Sequence, residues 1–307
     1  HQPFKSDDGR YTLIFNGEIY NYQEVKKELQ IKGYKFKTKT DTEVLLKAWT
    51  HWQSNCLKKL DGMFAFAIYD KKTHSLTLVR DPYGIKPIYY YASSKTIYFA
   101  SEINSLKTFI NQKFDLNKNR IFNYLVGGIN EISCNSFYEG IKSLMPGNKL
   151  EIKISNELIS LEKSLWYELD IKLSNLNLSF NNAAIQVREI FLESLKRQIR
   201  SDVPLGVTLS GGIDSSSIVC AIKNINPDFN LQTFSYFPDS KDVNEEKWIN
   251  IINENSNGIS NKIFLNEHEI DSYHDHQTAF EFLVNSMGTQ FDERVFDDSF
   301  RNTEWNA

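Results

Sequence analysis

The feature that most constrains the fold of this chain is the segment S-G-G-I-D-S-S at residues 210–216, which directly follows an apolar run. A helical pattern with Ile218 and Ile222 follows, so the order is a buried strand, a tight turn and a helix. Gly211 and Gly212 have no Cβ, which lets the backbone bend sharply and lets a ligand approach closely. The start of a helix offers unpaired N–H groups and a partial positive charge, which suits an anion such as pyrophosphate. A lone Ser-Gly-Gly would indicate only a turn and a Ser-capped helix, but the whole sequence after a strand is more specific.

The motif is not a Walker A loop, because the pattern G-x-x-x-x-G-K-[S/T] is absent. It resembles the PP-loop of ATP pyrophosphatases, enzymes that cleave ATP to AMP and pyrophosphate and form an adenylate. The resemblance implies that ATP is bound by Ser210, Gly211, Gly212, Asp214 and Ser215. It also implies that Mg²⁺, carried by the pyrophosphate, lies near Asp214. The residues alone indicate only an anion-binding turn.

Composition limits the classes of protein to which the chain can belong. Its 307 residues predict two domains, and 41% hydrophobic with 24% charged residues is typical of a globular protein with a core. A net charge of −4 argues against a general nucleic-acid or membrane partner, and the longest apolar run, at 63–69, is too short to span a bilayer. The three cysteines fit neither a metal site nor a disulfide framework, which predicts a cytoplasmic location.

The first half of the chain predicts a layered α+β domain. Residues 11–15 are β-branched and aromatic and indicate a strand that ends in a turn at Asn16 and Gly17. Helical spacing follows at 22–32 and again after Asp41, which is a candidate N-cap. Further strands are predicted at 63–69, 76–79, 88–91 and 96–99, a short helix at 101–109, and a turn at Pro146 and Gly147. Strands pressed between helices indicate a layered arrangement.

The second half predicts a parallel sheet. A linker at 174–182 precedes an amphipathic helix at 183–200. Strands predicted at 203–209, 231–237 and 262–264 then alternate with helices. The second of these helices, at 245–255, is predicted to bury Trp248 and Ile252. A β-α-β-α-β order implies right-handed crossovers between parallel strands. Ligands of such sheets bind at the carboxyl ends of the strands, which is where Ser210 lies. Gly127-Gly128 is predicted to be a plain turn, and His268, His274 and His276 form only a weak candidate metal cluster.

Six segments resemble, in this order, the glutamine-hydrolysing asparagine synthetase family. They are F-N-G-E-I-Y-N at 15–21, D-T-E at 41–43, G-M-F-A-F-A at 62–67, R-D-P-Y-G-I-K-P at 80–87, F-A-S-E at 99–102, and the turn at 210–216. The resemblance implies two domains. The first is an N-terminal-nucleophile (Ntn) hydrolase-like αββα glutaminase domain at 1–170. The second, at 181–307, is a truncated α/β PP-loop domain of the adenine nucleotide alpha hydrolase-like fold.

The resemblance also implies roles for single residues. A thioester intermediate builds negative charge on a carbonyl oxygen, and in the family the residues matching Asn16 and Gly17 stabilise that oxyanion. Carboxylates matching Glu18 and Asp41 bind the α-amino end of glutamine, so Asn16, Gly17, Glu18 and Asp41 form the implied glutamine site. In the family, main-chain groups at two positions lie on either side of adenine, and Leu209 and Tyr236 match these two positions. Arg80 and Asp81 are predicted to form a buried structural ion pair, and Cys56 to lie in the core.

The implied reaction is the synthesis of asparagine from aspartate, glutamine, ATP and Mg²⁺, through a β-aspartyl-AMP intermediate. The family's nucleophilic N-terminal Cys is absent, and the chain begins at His1 and stops at Ala307 without a helix cap. We therefore interpret the chain as a fragment and expect it not to hydrolyse glutamine. Two alternatives stay open: another ATP-dependent amide ligase of this fold, such as a β-lactam synthetase or a cyclase, and a nucleotide-binding remnant without activity. A homodimer is also left open.

Overall fold

The computed structural model of the chain describes residues 2–128, 133–155, 158–171, 177–201, 203–237 and 245–264. The chain divides into two compact units, unit 1 at residues 1–172 and unit 2 at residues 173–307. The weak candidate metal cluster of His268, His274 and His276 lies outside the described residues.

Unit 1 alternates short strands with short helices along the chain. In chain order they are β1 (Phe4–Lys5), β2 (Tyr11–Ile19), α1 (Tyr22–Ile31), α2 (Asp41–Trp52), a 3₁₀ helix (Gln53–Lys59), β3 (Gly62–Asp70), β4 (Ser75–Arg80), β5 (Tyr89–Ala92), β6 (Ile97–Ala100), α3 (Ile103–Ile110), α4 (Lys118–Gly127), β7 (Lys142–Ser143), β8 (Asn148–Ser155) and β9 (Leu158–Leu165). These strands form two antiparallel sheets, one of six strands in the order β1-β2-β3-β4-β8-β9 and one of three in the order β6-β5-β7.

The two sheets stack face to face between helices. Leu13 and Phe15 of β2 pack in one buried cluster with α1 and α2, which cover the outer face of the six-stranded sheet. Ala65 of β3, on the opposite face, packs in a second cluster with Tyr90 of the three-stranded sheet. The far side of that smaller sheet is covered by α3 through the buried side chain of Leu106. The layers are therefore helix, sheet, sheet and helix, which is the four-layer order expected from the sequence.

The expected turn at Asn16 and Gly17 is wrong, because β2 continues through both residues to Ile19. Asn16 pairs with Ala65 and Gly17 with Phe64 in one unbroken antiparallel register between β2 and β3. Asn-Gly is a strong local signal for a turn. Here the long-range pairing with β3 overrides that local preference.

The start of α2 also differs from the expectation. Asp41 is the first residue of the helix rather than its N-cap, and Thr40 is the cap, with its hydroxyl accepting from the Glu43 N–H at 3.4 Å. Thr40 has the extended backbone typical of an N-cap. The Asp41 carboxylate is thereby left to bond elsewhere in the unit.

Arg80 and Asp81 are fully buried and hold the loop that follows β4. Asp81 accepts from the N–H groups of Phe64 and Lys86, at 3.3 and 2.9 Å, and Arg80 donates to the carbonyls of Lys86 and Gly84, at 3.0 and 2.7 Å. The two buried side chains are thus hydrogen-bonded mainly to backbone groups, and Arg80 also donates to the hydroxyl of Ser143 at 3.2 Å. An ion pair between the two side chains stays a prediction.

Unit 2 has the predicted parallel sheet. Its elements are α5 (Phe180–Gln198), β10 (Gly206–Thr208), α6 (Ile213–Ile225), β11 (Gln232–Phe237), α7 (Glu246–Ser256) and β12 (Ile259–Phe264). The strands are parallel in the order β10-β11-β12. Val219 of α6 and Ile249 of α7 pack together with Leu231 and Phe237, so both crossover helices contribute to one core.

Two helices of unit 2 differ from the sequence expectation. α5 begins at Phe180 rather than at 183, because Ser179 caps it by accepting from the Asn182 N–H at 3.3 Å. On α7 the predicted core residue Trp248 is 55% exposed, and its neighbour Ile249 is the buried residue. A helical pattern with few apolar residues leaves the phase of the buried face uncertain by one position.

The remaining expectations concern unit 1 and membrane insertion. Helix α4 was not predicted from the sequence. Gly127, which was expected in a plain turn, is the last residue of α4, and Gly128 follows in the left-handed cap position. Cys56 is fully buried, and burial raises the pKa of its thiol to about 12. No helix within the described ranges has the length and apolarity needed to cross a bilayer.

Candidate active site

The site in unit 1 lies on a part of β2 that the second sheet does not cover. Register places Ile14 opposite Ala67 and Asn16 opposite Ala65, so all four side chains share the inner face of the six-stranded sheet. The two alanines are buried under the three-stranded sheet, whereas Ile14 is 47% exposed and Asn16 is exposed. The six-stranded sheet is wider than the three-stranded sheet and extends beyond it at β2. The Asn16 carboxamide lies on this uncovered part and is accessible to a ligand.

The amide of Asn16 has a defined partner. Its Nδ2 donates to Oγ of Ser101 at 3.0 Å, although the two residues are 85 positions apart. Ser101 follows directly after β6, the edge strand of the smaller sheet. The carboxamide therefore lies at the mouth between the two sheets.

Every second backbone N–H group of β2 points to the edge of the strand that faces away from β3. The N–H of Phe15 donates to the side chain of Gln2 at 2.7 Å, and the N–H of Ile19 donates to Oδ2 of Asp41 at 3.1 Å. Gly17 lies midway between them, and the alternation of an antiparallel strand directs its N–H to the same edge. This places one backbone donor next to the Asn16 side chain.

Close packing requires the glycine at position 17. Its φ is +144°, which L-residues rarely adopt, and an added Cβ would overlap the carbonyl oxygen of Met63 and lie 2.7 Å from Cα of Phe64. On the other side of β3, the N–H of Phe64 donates to Oδ2 of Asp81, and the carbonyl of Phe64 accepts from the backbone N–H of Asp81. The buried Asp81 therefore fixes the strand against which Gly17 packs.

Two carboxylates and a tyrosine surround the end of β2. Glu18 is exposed and Asp41 is partly buried, and burial raises the pKa of Asp41 although the N–H of Ile19 opposes that shift. Burial also raises the pKa of Tyr20 to about 12, and the charges of Glu18 and Asp61 add to the shift. The local field is negative, so this end of β2 favours a cationic group such as an ammonium.

The second candidate site is the turn between β10 and α6. The hydroxyls of Ser210 and Ser215 lie 3.1 Å apart, and Oγ of Ser215 donates to the carbonyl of Gly212 at 3.3 Å. Gly212, which has no side chain to serve as a cap, is the N-cap of α6. Asp214 is exposed in the first turn of the helix. The start of α6 thus presents backbone donors beside two hydroxyls, a geometry that suits a phosphate group.

The residues around that turn hold it against the sheet. Leu209 is buried and its N–H donates to the carbonyl of Phe234 at 2.8 Å, which joins the turn to β11. Gly211 has φ +84°, and an added Cβ would lie 3.2 Å from Cβ of both Glu245 and Trp248. Tyr236 lies near the end of β11 and is 51% exposed. The sequence motif and the structure therefore bring the predicted residues together at the carboxyl ends of two parallel strands.

Sequence reasoning missed Ser101 as a site residue. It lies within the F-A-S-E segment at 99–102, but nothing local indicates a contact with Asn16. Among the residues that the structure describes, no group of three or more His, Cys, Asp and Glu side chains is arranged to hold a metal ion.

Known proteins resemble both units. The sequence profile of the family described as "Glutamine amidotransferase domain" matches residues 1–166, and that of "Asparagine synthase" matches residues 186–283. Asparagine synthetase [glutamine-hydrolyzing] 1 of Bacillus subtilis is 38% identical over 235 residues, which are 76% of this chain and 36% of that protein. Putative asparagine synthetase [glutamine-hydrolyzing] 2 of Methanocaldococcus jannaschii is 30% identical over 296 residues, which are 95% of this chain and 54% of that protein.

A solved structure of glutamine phosphoribosylpyrophosphate amidotransferase from B. subtilis aligns with a TM-score of 0.39 and 16% identity, covering 95% of this chain and 76% of that chain. This similarity is too low to support a structural conclusion. The chain spans about a third to a half of the length of the two curated relatives above.

The profile match covers more than half of the chain, which makes unit 1 a glutamine amidotransferase domain. Together with the match over unit 2 and the similarity to the curated relatives, it follows that the chain belongs to the glutamine-hydrolysing asparagine synthetase family.

We predict that Gly17→Ala destabilises unit 1 far more than Gly33→Ala does. Both glycines have positive φ, but an added Cβ at Gly33 meets nothing within 4 Å. The Gly33 variant should lose about 1 kcal/mol of the free energy of unfolding through backbone strain alone. The Gly17 variant should lose at least about 3 kcal/mol, because strain and overlap with β3 add. Urea unfolding followed by tryptophan fluorescence measures both, and equal losses would contradict the close packing of β2 on β3.

We predict that Asp41→Asn changes the pH dependence of stability. Because burial raises the pKa of Asp41, the folded state binds its proton more tightly than the unfolded chain, so its contribution to stability is lost as pH rises through the raised pKa. Asn retains an oxygen that accepts from the Ile19 N–H and does not ionise. The stability of the variant relative to the natural protein should therefore increase between about pH 4 and pH 7.

Urea unfolding of both proteins at a series of pH values tests this prediction. All other titrating groups are shared, so the difference between the two curves isolates Asp41. A difference that is constant with pH, or that decreases as pH rises, would show that the Asp41 carboxylate is not held in a desolvated position.

Proposed function

We propose that the full-length protein hydrolyses glutamine in its first domain, at 1–170, and uses the ammonia for ATP-dependent amidation of aspartate in its second domain, which includes residues 181–307. The products are asparagine, glutamate, AMP and pyrophosphate, with β-aspartyl-AMP as the intermediate. The observation that carries the proposal is the pair of donors at Asn16 and Gly17 on the open inner face and edge of β2.

The donor pair suits acyl transfer. Attack on the glutamine carboxamide moves negative charge onto its oxygen, and preorganised donors aimed at that oxygen lower the barrier. The Asn16 carboxamide is exposed yet oriented, and the Gly17 N–H is directed to the neighbouring edge by the strand geometry. Neither donor needs to move, because both belong to a strand that is paired along its whole length.

The carboxylates nearby suit the other end of glutamine. The α-ammonium group is cationic, and Glu18 with Asp41 supplies negative charge at the end of the same strand. A charge-assisted contact of this kind fixes which end of the substrate lies near the oxyanion donors. Glu18, Asp41, Asn16 and Gly17 therefore form the proposed glutamine site.

The turn at the start of α6 suits ATP. Ser210, Gly211, Gly212, Asp214 and Ser215 surround the uncapped N-terminus of that helix, which favours the phosphates. Leu209 and Tyr236, at the ends of adjacent strands, are proposed to contact adenine. Cleavage between the α- and β-phosphates leaves pyrophosphate at the helix terminus and an adenylate on the acceptor carboxylate.

Mg²⁺ fits this site as a partner of the nucleotide. Mg²⁺ usually binds through one or two carboxylates together with substrate phosphates. Asp214 is exposed beside the proposed phosphate position and is the carboxylate that would approach the ion. The ion would supply charge neutralisation for the leaving pyrophosphate.

Three free cysteines, of which Cys220 is exposed, support the proposal of a reducing, cytoplasmic location.

We predict that Asn16→Ala in the full-length protein lowers glutamine-dependent synthesis and spares ammonia-dependent synthesis. Loss of one oxyanion donor should lower the hydrolytic rate on the order of 10²- to 10³-fold. Free ammonia bypasses hydrolysis and needs only the adenylating site. Assays with each nitrogen donor, run side by side, measure the effect.

Asn104→Ala is the matched control, because Asn104 is exposed on α3 and the change removes the same carboxamide. It should leave both activities unchanged. If Asn16→Ala retains glutamine use, or loses both activities in proportion, the proposed role of unit 1 is wrong.

We predict that Asp214→Asn weakens Mg²⁺-dependent ATP binding and abolishes synthesis with both nitrogen donors. Asp228→Asn is the control, since Asp228 is exposed in the same unit and the change in charge is identical. Calorimetric titration with ATP, with and without Mg²⁺, should show a loss of roughly tenfold or more in Mg²⁺-dependent affinity for Asp214→Asn alone. Equal affinities of the two variants would argue against a phosphate site at the start of α6.

A further inference from the structure

We propose that Ser101 is a positioning residue of the amidotransferase site, which orients the Asn16 carboxamide so that its nitrogen faces the developing oxyanion. This inference rests on the proposed glutamine hydrolysis in unit 1. It begins from the hydrogen bond between Nδ2 of Asn16 and Oγ of Ser101, at 3.0 Å. No charged group is part of that bond, and it joins two different sheets.

An exposed asparagine needs a partner to be a useful oxyanion donor. The terminal torsion of its side chain is broad and roughly two-fold, so the oxygen and the nitrogen can exchange places. With its oxygen towards the substrate, Asn16 would repel the charge that it is proposed to stabilise. In the structure the Ser101 hydroxyl accepts one of the two amide hydrogens of Asn16, and in this orientation the other amide hydrogen is free to face the substrate.

Ser101 is held in place independently of Asn16. It stands between the last residue of β6, Ala100, and Glu102, which is the N-cap of α3. Ala100 pairs with Tyr89 in the smaller sheet, and α3 packs against that sheet through Leu106. The hydroxyl is therefore fixed by two packed elements, and it transmits the position of the second sheet to the Asn16 amide.

Ser101→Ala should lower kcat for glutamine hydrolysis about five- to tenfold, the usual effect of losing one neutral hydrogen bond. KM for glutamine should stay within about twofold, since Ser101 contacts the amide donor and not the carboxylates proposed to bind the substrate. Ser101→Thr keeps the hydroxyl and should restore kcat. Ammonia-dependent synthesis should be unchanged in all variants.

The double variant separates positioning from a general structural effect. If Ser101 acts through Asn16, then Ser101→Ala should have no further effect on kcat in a protein that already carries Asn16→Ala. Ser94→Ala, an exposed serine in the hairpin before β6, is the control for the loss of a hydroxyl. Unfolding curves of every variant show whether a loss of rate reflects a loss of folded protein.

Two outcomes would overturn the inference: a Ser101→Ala variant with natural kcat, or losses in kcat that multiply when Ser101→Ala and Asn16→Ala are combined. A full-length protein that uses ammonia but never hydrolyses glutamine would remove the proposed function of unit 1, and this inference with it. The two failures are distinguishable, because only the second is seen in the unsubstituted protein.

Discussion

The pairing of β2 with β3 is the contact on which unit 1 depends. It runs without interruption from Tyr11 to Ile19, and at Gly17 the two backbones come so close that no Cβ can be accommodated. The same pairing fixes the orientation of the neighbouring residue, because a strand alternates its side chains with a period of two. One fully buried residue, Asp81, holds the opposite strand in place, because its carboxylate accepts from the N–H of Phe64 and its backbone N–H donates to the carbonyl of Phe64.

A second constraint is the unequal width of the two stacked sheets. The smaller sheet covers Ala65 and Ala67, which are buried in one cluster with Tyr90. It does not cover the inner face of β2, where Ile14 and Asn16 are exposed. The site therefore arises from the layer architecture itself, and α2 adds the Asp41 carboxylate at the end of β2.

The elements that sequence reasoning predicted are those in which local pattern and tertiary burial agree. Strand β3 reads as a continuous apolar run because both of its faces are covered, and α1 reads as a helix because Val25 and Leu29 recur on its buried face. The predictions were wrong where a short local pattern is common in two kinds of structure. Asn16 and Gly17 carry a turn signal but lie in a strand, and Asp41 resembles a cap although Thr40 performs that role. The Ser101 contact is unreadable from sequence, because residues 85 positions apart leave no local trace.

The two candidate sites solve one electrostatic problem in different ways. In unit 2 the proposed anion is a full phosphate charge, and the start of a helix with a glycine cap would direct several backbone donors towards it. In unit 1 the charge is transient and is proposed to appear on a single oxygen next to a cationic ammonium, so a helix terminus or a lysine would repel one end of the substrate. Three successive residues of a strand meet both needs, because Asn16 and Glu18 share a face while the Gly17 N–H points to the edge. Under the proposed function, neutral donors would stabilise the oxyanion without repelling the ammonium, which the carboxylates of Glu18 and Asp41 are proposed to bind.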